Sequence, residues 1–135
     1  MRLTKELREE LKEKYGGVCA YCGSPLGERW HADHFEPVRR ESEYVKGVGP
    51  VKTPNMAFPE RDYLKNLMPA CQPCNIDKSV YPLEEWRAKL QRACEVLRNN
   101  NATYRHALRF GLVTEEEAKV VFHFERENES TKGED

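Results

Sequence analysis

The sequence predicts a single small α+β domain stapled by a metal, and three observations carry that reading. The first is size: 135 residues, 39% hydrophobic and 10% aromatic, are enough for one core and too few for two ordinary domains. The second is a mixture of short β-prone runs with helical stripes and no internal repeat. The third is two C-x2-C pairs, Cys19/Cys22 and Cys71/Cys74, set 48 residues apart.

The elements follow in order. Thr4 to Tyr15 carries Leu3, Leu7 and Leu11 at helical spacing with Thr4 as N-cap, and Gly16-Gly17 ends the run. Val18 to Gly27 is a turn bearing the first thiol pair. Arg29 to Phe35 reads as a short strand closed by Pro37. Residues 38–65, with Pro50, Pro54, Pro59, Gly47 and Gly49, show no sustained period and predict a long irregular insertion. Leu67-Met68 is a second strand, followed by Pro69 and the second thiol pair.

Pro82 opens a helix whose stripe is Leu83, Trp86, Leu90, Cys94 and Leu97, stopped by Asn99-Asn100-Asn101. Cys94 on that stripe is expected to be a buried structural thiol. Ala102 to Phe110 is a further helix, and Thr114 with Glu117 forms a capping box for another turn. Val120 to Phe124 is β-prone and predicts an edge strand. The expected division is a core over about 18–80, a helical extension over about 82–125 and an acidic, frayed tail over 126–135.

Composition excludes two classes. No run approaches the roughly 18 apolar residues of a membrane span, and the aromatic content argues against global disorder. The charged N-terminus lacks an apolar core, so no signal peptide is expected and the compartment expected is the cytoplasm. Net charge is -1, but unevenly spread: Thr114 to Asp135 holds eight acids and three bases, leaving the remainder at +4. A mildly basic body permits a polyanionic partner without demanding one.

In a reducing compartment, paired thiols at this spacing fit a tetrahedral four-cysteine zinc site, Cys19, Cys22, Cys71 and Cys74. Disulfides are disfavoured there, and a thioredoxin-like redox pair needs a βαβ pattern that is missing. Such a closed site holds a fold and leaves no coordination position for chemistry.

Between the pairs lie His31-Ala-Asp33-His34-Phe35-Glu-Pro37 and, after the insertion, Asn66-Leu67-Met68-Pro69-Ala-Cys71-Gln-Pro-Cys74-Asn75-Ile-Asp77-Lys78-Ser79. This pattern resembles the HNH nuclease family over about Val18 to Ser79, with Asn75 at the third signature position in place of His. The resemblance implies a ββα-metal core and a DNA endonuclease leaving 5′-phosphate and 3′-hydroxyl ends. It implies His34 as general base, Asp33 and Asn75 as ligands of a catalytic Mg2+ or Mn2+, and Asn66 as the residue tying the strands and orienting His34. Lys78 is implied to meet a backbone phosphate. Single-chain members of this size resemble phage or mobile-element nucleases, some accompanying DNA packaging. The resemblance does not extend to Tyr81 through Asp135, for which DNA contacts, a dimer surface or docking of a packaging or other protein partner are the open alternatives.

The residue types suit that chemistry independently. An imidazole titrating near neutrality can take a proton from water, and carboxylate and amide oxygens are hard ligands for Mg2+. Because neighbours on a regular strand face opposite sides, Asp33 and His34 can share a site only where the strand ends or distorts. His106 and His123 have no motif around them and are expected to be structural. His31 reads either as a neighbour of the site or the zinc or as an ordinary strand histidine, and stands outside the catalytic set. Arg39, Arg40, Lys46, Lys52, Arg61 and Lys65 could track phosphates, or line a solvated loop with the acids among them. The rival reading is a non-catalytic zinc-ribbon module binding nucleic acid or protein, in which Asp33, His34 and Asn75 are dispensable.

Overall fold

The computed structural model describes residues 1–126. The chain is α+β and divides into two compact units, Met1–Leu83 with the segment from Phe122, and Glu84–Val121. The acidic tail expected to fray lies outside the described residues from 127 onward. Among the described residues no helix is long and apolar enough to cross a membrane.

The first unit opens with α1, Lys5–Lys12. The Thr4 hydroxyl caps it by accepting from the Leu7 amide at 3.2 Å, and Leu11 is its buried residue. A 3-10 turn over Glu13–Tyr15 extends it to Gly16, whose φ of 73° lies in the left-handed region glycine tolerates. Arg8 ties the helix to the sheet, its guanidinium 4.0 Å over the Trp30 ring and donating to the Trp30 carbonyl at 2.9 Å.

The sheet that positions the site is a two-stranded antiparallel pair, β1 (Trp30–His34) and β4 (Leu67–Cys71). Trp30 faces Cys71 and His34 faces Leu67 across the ladder. β4 is longer than the two residues expected and runs through Pro69. A two-stranded sheet consists of edges, where a missing backbone N–H costs no ladder bond. α2, Gln72–Lys78, starts directly after β4 and contacts both strands.

The segment 38–65 corrects the sequence expectation. It holds a second antiparallel hairpin, β2 (Arg40–Val45) and β3 (Gly49–Met56), then 3-10 turns at Pro59–Arg61 and Leu64–Asn66. Every β2 residue is exposed and β3 is nearly so. Strands with no buried face show no hydrophobic alternation, so period-2 patterning could not reveal them. Pro54 is accommodated by a break in register between Arg40 and Ser42.

The core of this unit gathers Cys19, Ala20, Tyr21, Leu26, Trp30, Leu67, Met68, Ala70 and Phe122. The expected edge strand over Val120 to Phe124 does not form. Instead the backbone amides of His123 and Phe124 donate to the carbonyls of Tyr21 and Ala20, at 2.9 and 2.8 Å. Phe122 and Phe124 stack on each other and meet Tyr21 edge-on, with centroids 5.8 and 6.3 Å away; Phe35 packs edge-on to Phe124 at 5.7 Å. The β-prone composition records burial in an aromatic cluster, not pairing.

The second unit contains α3 (Leu83–Gln91), α4 (Ala93–Asn100) and α5 (Ala102–Arg109). The single helix expected after Pro82 breaks at Arg92, where φ −94° and ψ 5° leave the helical region. Of its stripe only Trp86 is buried; Leu97 and Cys94 are exposed, which corrects the buried role expected for Cys94. Asn101 caps α5 by accepting from the Tyr104 amide at 3.0 Å. The Thr114–Glu117 turn is not helical. Its Glu115 is engaged elsewhere, pairing with Arg98 and accepting from the Tyr104 hydroxyl at 3.1 Å. Gln91 spans to the extended segment, donating to the Ala118 carbonyl and accepting from the Val120 amide.

A four-thiol cluster and a His34 cavity

The two C-x2-C pairs, far apart in sequence, meet in space. Cys19 and Cys22 sit on a turn closed by the Gly23 amide donating to the Cys19 carbonyl at 3.0 Å. Gly23 has φ 79°, and a Cβ there would come within 3.1 Å of His123 Nδ1, so the turn is doubly suited to glycine. Cys71 ends β4 and Cys74 lies in the first turn of α2. The four sulfurs all lie within 4.8 Å of one another, and Cys22 and Cys71 are 3.7 Å apart.

A tetrahedral ion bound at about 2.3 Å by each sulfur sets them roughly 3.8 Å apart, so the cluster has the dimensions to hold one metal ion such as zinc. All five cysteines are free thiols. Within the cluster the Cys74 hydrogen bond pulls Cys19 down to about 4, and the same pairing pushes Cys74 up. Cysteine binds such an ion as thiolate, so surroundings that favour the charged form of Cys19 also favour a cation. Among the described residues this is the one group of three or more His, Cys, Asp or Glu side chains close enough to share an ion.

On the same unit, β1 ends at His34. Asp33 and His34, the last two residues of the strand, both line a cavity of about 410 Å³. Asn75 enters it from α2, with Ile76, Ser79 and Val80. Arg39, Arg40 and Lys52 complete its wall. Arg39 (φ 49°) and Ser79 (φ 47°) are the two non-glycine residues with left-handed backbone among those described, and both border this cavity. Such strain persists where the surroundings over-determine it, often at sites of function.

Each expected residue can now be located. His34 Nε2 lies 2.9 Å from Asp62 Oδ1, a partner 28 residues away that the motif did not contain. Asp62 also pairs with the Met1 amino group, and that hydrogen bond together with the one to His34 holds its carboxyl below the ordinary range. Asn66 is buried. Its Oδ1 accepts from the Glu36 amide at 2.9 Å, and its Nδ2 donates to the carbonyls of Glu36 and Arg61 at 3.0 and 2.6 Å. Its backbone carbonyl accepts from the Phe35 amide at 2.8 Å. Asn66 therefore ties the chain just past His34 to the segment that leads into β4.

Lys78 corrects the sequence expectation. It is fully buried, its ammonium 3.2 Å from Asp33 Oδ2 and donating to the His34 carbonyl at 3.0 Å. A phosphate outside cannot reach it. Its charge offsets the burial of Asp33, and it braces the strand end from beneath. Asp33 is 6% exposed, and burial pushes its carboxyl up while Lys78 and Tyr21 pull it back. The Tyr21 hydroxyl donates to the same Oδ2 at 2.5 Å.

The remaining donors test whether a second, hard cation fits. Tyr21 and Lys78 both take Asp33 Oδ2, and among the described residues no donor reaches Oδ1. The Asn75 amide likewise has no hydrogen-bond partner among them and borders the same cavity. One carboxylate and one amide oxygen are suited to Mg2+ or Mn2+, with open positions left for water and phosphate. Asp33 Oδ1 and the Asn75 amide are the hard donors this cavity offers a cation.

The three other histidines do not line the His34 cavity, and His123 lies against the Gly23 turn that carries the first thiol pair. His31 is exposed on β1, His106 bonds Arg109 on α5, and His123 packs edge-on to Tyr15. Sequence reasoning missed Asp62 and the convergence of Arg39, Arg40 and Lys52; only the cations carried a signal, as bases scattered through the insertion. Among protein-family models, curated proteins and solved structures, none matches this chain.

Proposed function

We propose that the chain is an HNH-type endonuclease that hydrolyses DNA phosphodiesters with a divalent cation, its fold held by zinc at the four thiols. The observation that carries this reading is convergence. Asp33, His34 and Asn75, spread over 42 residues of sequence, border one cavity with three basic side chains, Arg39, Arg40 and Lys52. Convergent polar groups in an open, cation-rimmed hollow suit a phosphate ester and its attacking water.

The roles follow from position. His34 takes the proton from water; Asp62 fixes the ring through Nε2, leaving Nδ1 for that proton, and stabilises the imidazolium that forms. Asp33 and Asn75 would hold the cation, which when bound supplies charge for the crowded phosphorane and the departing 3′-oxygen. Arg39, Arg40 and Lys52 hold the phosphates on either side of the scissile bond. Asn66 and Lys78 act on the site by positioning, since each binds backbone next to His34 and neither is exposed.

The non-catalytic zinc-ribbon reading has one observation in its favour. Lys78 already balances the charge of Asp33, which weakens that carboxylate as a cation ligand. Cleavage of supercoiled plasmid with Mg2+ or Mn2+, wild type against His34→Ala, separates the two. The nuclease reading expects a loss of at least about 100-fold on removing a general base. Equal cutting by both proteins ends the His34 assignment; binding without cutting by either favours the ribbon.

A further inference from the structure

The β2–β3 hairpin is exposed along its length, and its two faces are not alike. Cross-strand partners in an antiparallel pair share a face, and alternate residues switch faces. Ser42 faces Lys52 and Tyr44 faces Pro50. With Arg40, these make one face carrying two cations, a hydroxyl and a tyrosine that is 77% exposed, and no acid. Glu43 faces Val51 and Val45 faces Gly49, so the other face carries Glu43, with Glu41 two residues before it. The cavities follow the charges: Arg40 and Lys52 border the His34 cavity, whereas Glu41 lines a separate hollow, which Met56, the cross-strand partner of Arg40 at the strand end, also borders.

We infer that the Arg40–Ser42–Tyr44–Lys52 face of this hairpin is a track for the phosphate backbone of duplex DNA, leading away from the His34 cavity. The inference rests on the nuclease reading and adds which surface takes the substrate. Three observations support it. The basic face is continuous with the cavity, because the same two side chains belong to both. The acids of the hairpin, which would repel phosphate, are turned to the opposite side. The dimensions also match: six residues of β2 at about 3.4 Å each span roughly 20 Å, the length of about six base pairs at 3.4 Å per step. The hairpin is net basic by only one charge over Arg40–Met56, so segregation of charge, not its amount, makes the track.

The test places the same added charge on the two faces. Ser42→Glu sets a carboxylate beside Arg40 and opposite Lys52; Val45→Glu sets one on the other face, opposite Gly49. Both positions are exposed, and both variants are made in the non-cutting His34→Ala protein. Binding is read by fluorescence anisotropy of a 20-base-pair duplex of arbitrary sequence, over a range of salt and without divalent cation. Ser42→Glu is expected to weaken binding about tenfold and to make its salt dependence shallower, as fewer phosphates are neutralised. Val45→Glu is expected to stay within about twofold. Equal weakening by both variants, no effect of either, or no duplex binding by the His34→Ala protein overturns the track. Plasmid cleavage by the His34-intact protein is scored separately. Cutting with no difference between the faces removes the track and leaves the nuclease; sided binding without cutting does the reverse.

Discussion

The four-thiol cluster and the His34 cavity meet on one element, α2, which carries both Cys74 and Asn75, yet they are built on opposite principles. The cluster is made of four soft ligands of one kind within 4.8 Å, closed on itself. The cavity offers one carboxylate oxygen, one amide and one imidazole, open to solvent and rimmed by Arg39, Arg40 and Lys52. A closed set of thiolates has nothing left to offer a substrate, while an open set of hard groups binds weakly until a phosphate completes it. The comparison teaches that matched ligands in close proximity suit one metal ion, whereas an incomplete set of hard groups leaves room for water and an anion.

The largest expected effect breaks the first region. Cys19→Ser removes a buried thiol of the cluster, and structural zinc in small domains, which the proposed function places there, is worth about 10–16 kcal/mol of folding free energy. Loss of cooperative thermal unfolding is expected for Cys19→Ser and not for the exposed Cys94→Ser; circular dichroism melts decide it. Equal melts would remove the cluster from the stability of the fold.

Lys78 sharpens the boundary between the regions. Lys78→Met leaves Asp33 buried without its cation, and breaking a buried pair from one side costs about 3–5 kcal/mol. The double variant Lys78→Met/Asp33→Asn is expected to recover much of that loss. A Lys78→Met protein with unchanged stability but reduced DNA affinity would return Lys78 to the phosphate role. Phe122→Ala, which empties the centre of the aromatic cluster, is expected to cost about 3–5 kcal/mol in denaturant titrations. A cost below about 1 kcal/mol would mean that this return of the chain to the first unit is not part of its core.

The smallest effect concerns Asp62. Its folded pKa is depressed by the Met1 amino group and His34, so it contributes stability that is present above the ordinary carboxylate pKa, about 3.9, and lost as pH falls through the folded value. Unfolding free energy measured from pH 6 downward should fall in wild type below about pH 4, and fall less in Asp62→Asn. Parallel curves would remove Asp62 from the linkage.

What the sequence made legible divides along the same line. The thiol cluster could be read from spacing, because two C-x2-C turns bring matched ligands together whatever lies between them. Asp33, His34, Asn66 and Asn75 were readable as a motif. Their partners were not: Asp62 meets His34 across 28 residues and Lys78 meets Asp33 across 45, and nothing local signals either pairing. The hairpin was invisible because neither face is buried, and Val120 to Phe124 misled because aromatic and β-branched residues suit a core as well as a strand.

One measurement tests the division of labour most directly: zinc content and plasmid cleavage followed in a single sample, first in mild EDTA and then with Mg2+ or Mn2+ restored. The account predicts about one zinc per chain throughout, with cleavage absent in EDTA and returning on addition of the second cation. Cleavage that persists in EDTA, or that disappears and returns only together with the zinc, would contradict it.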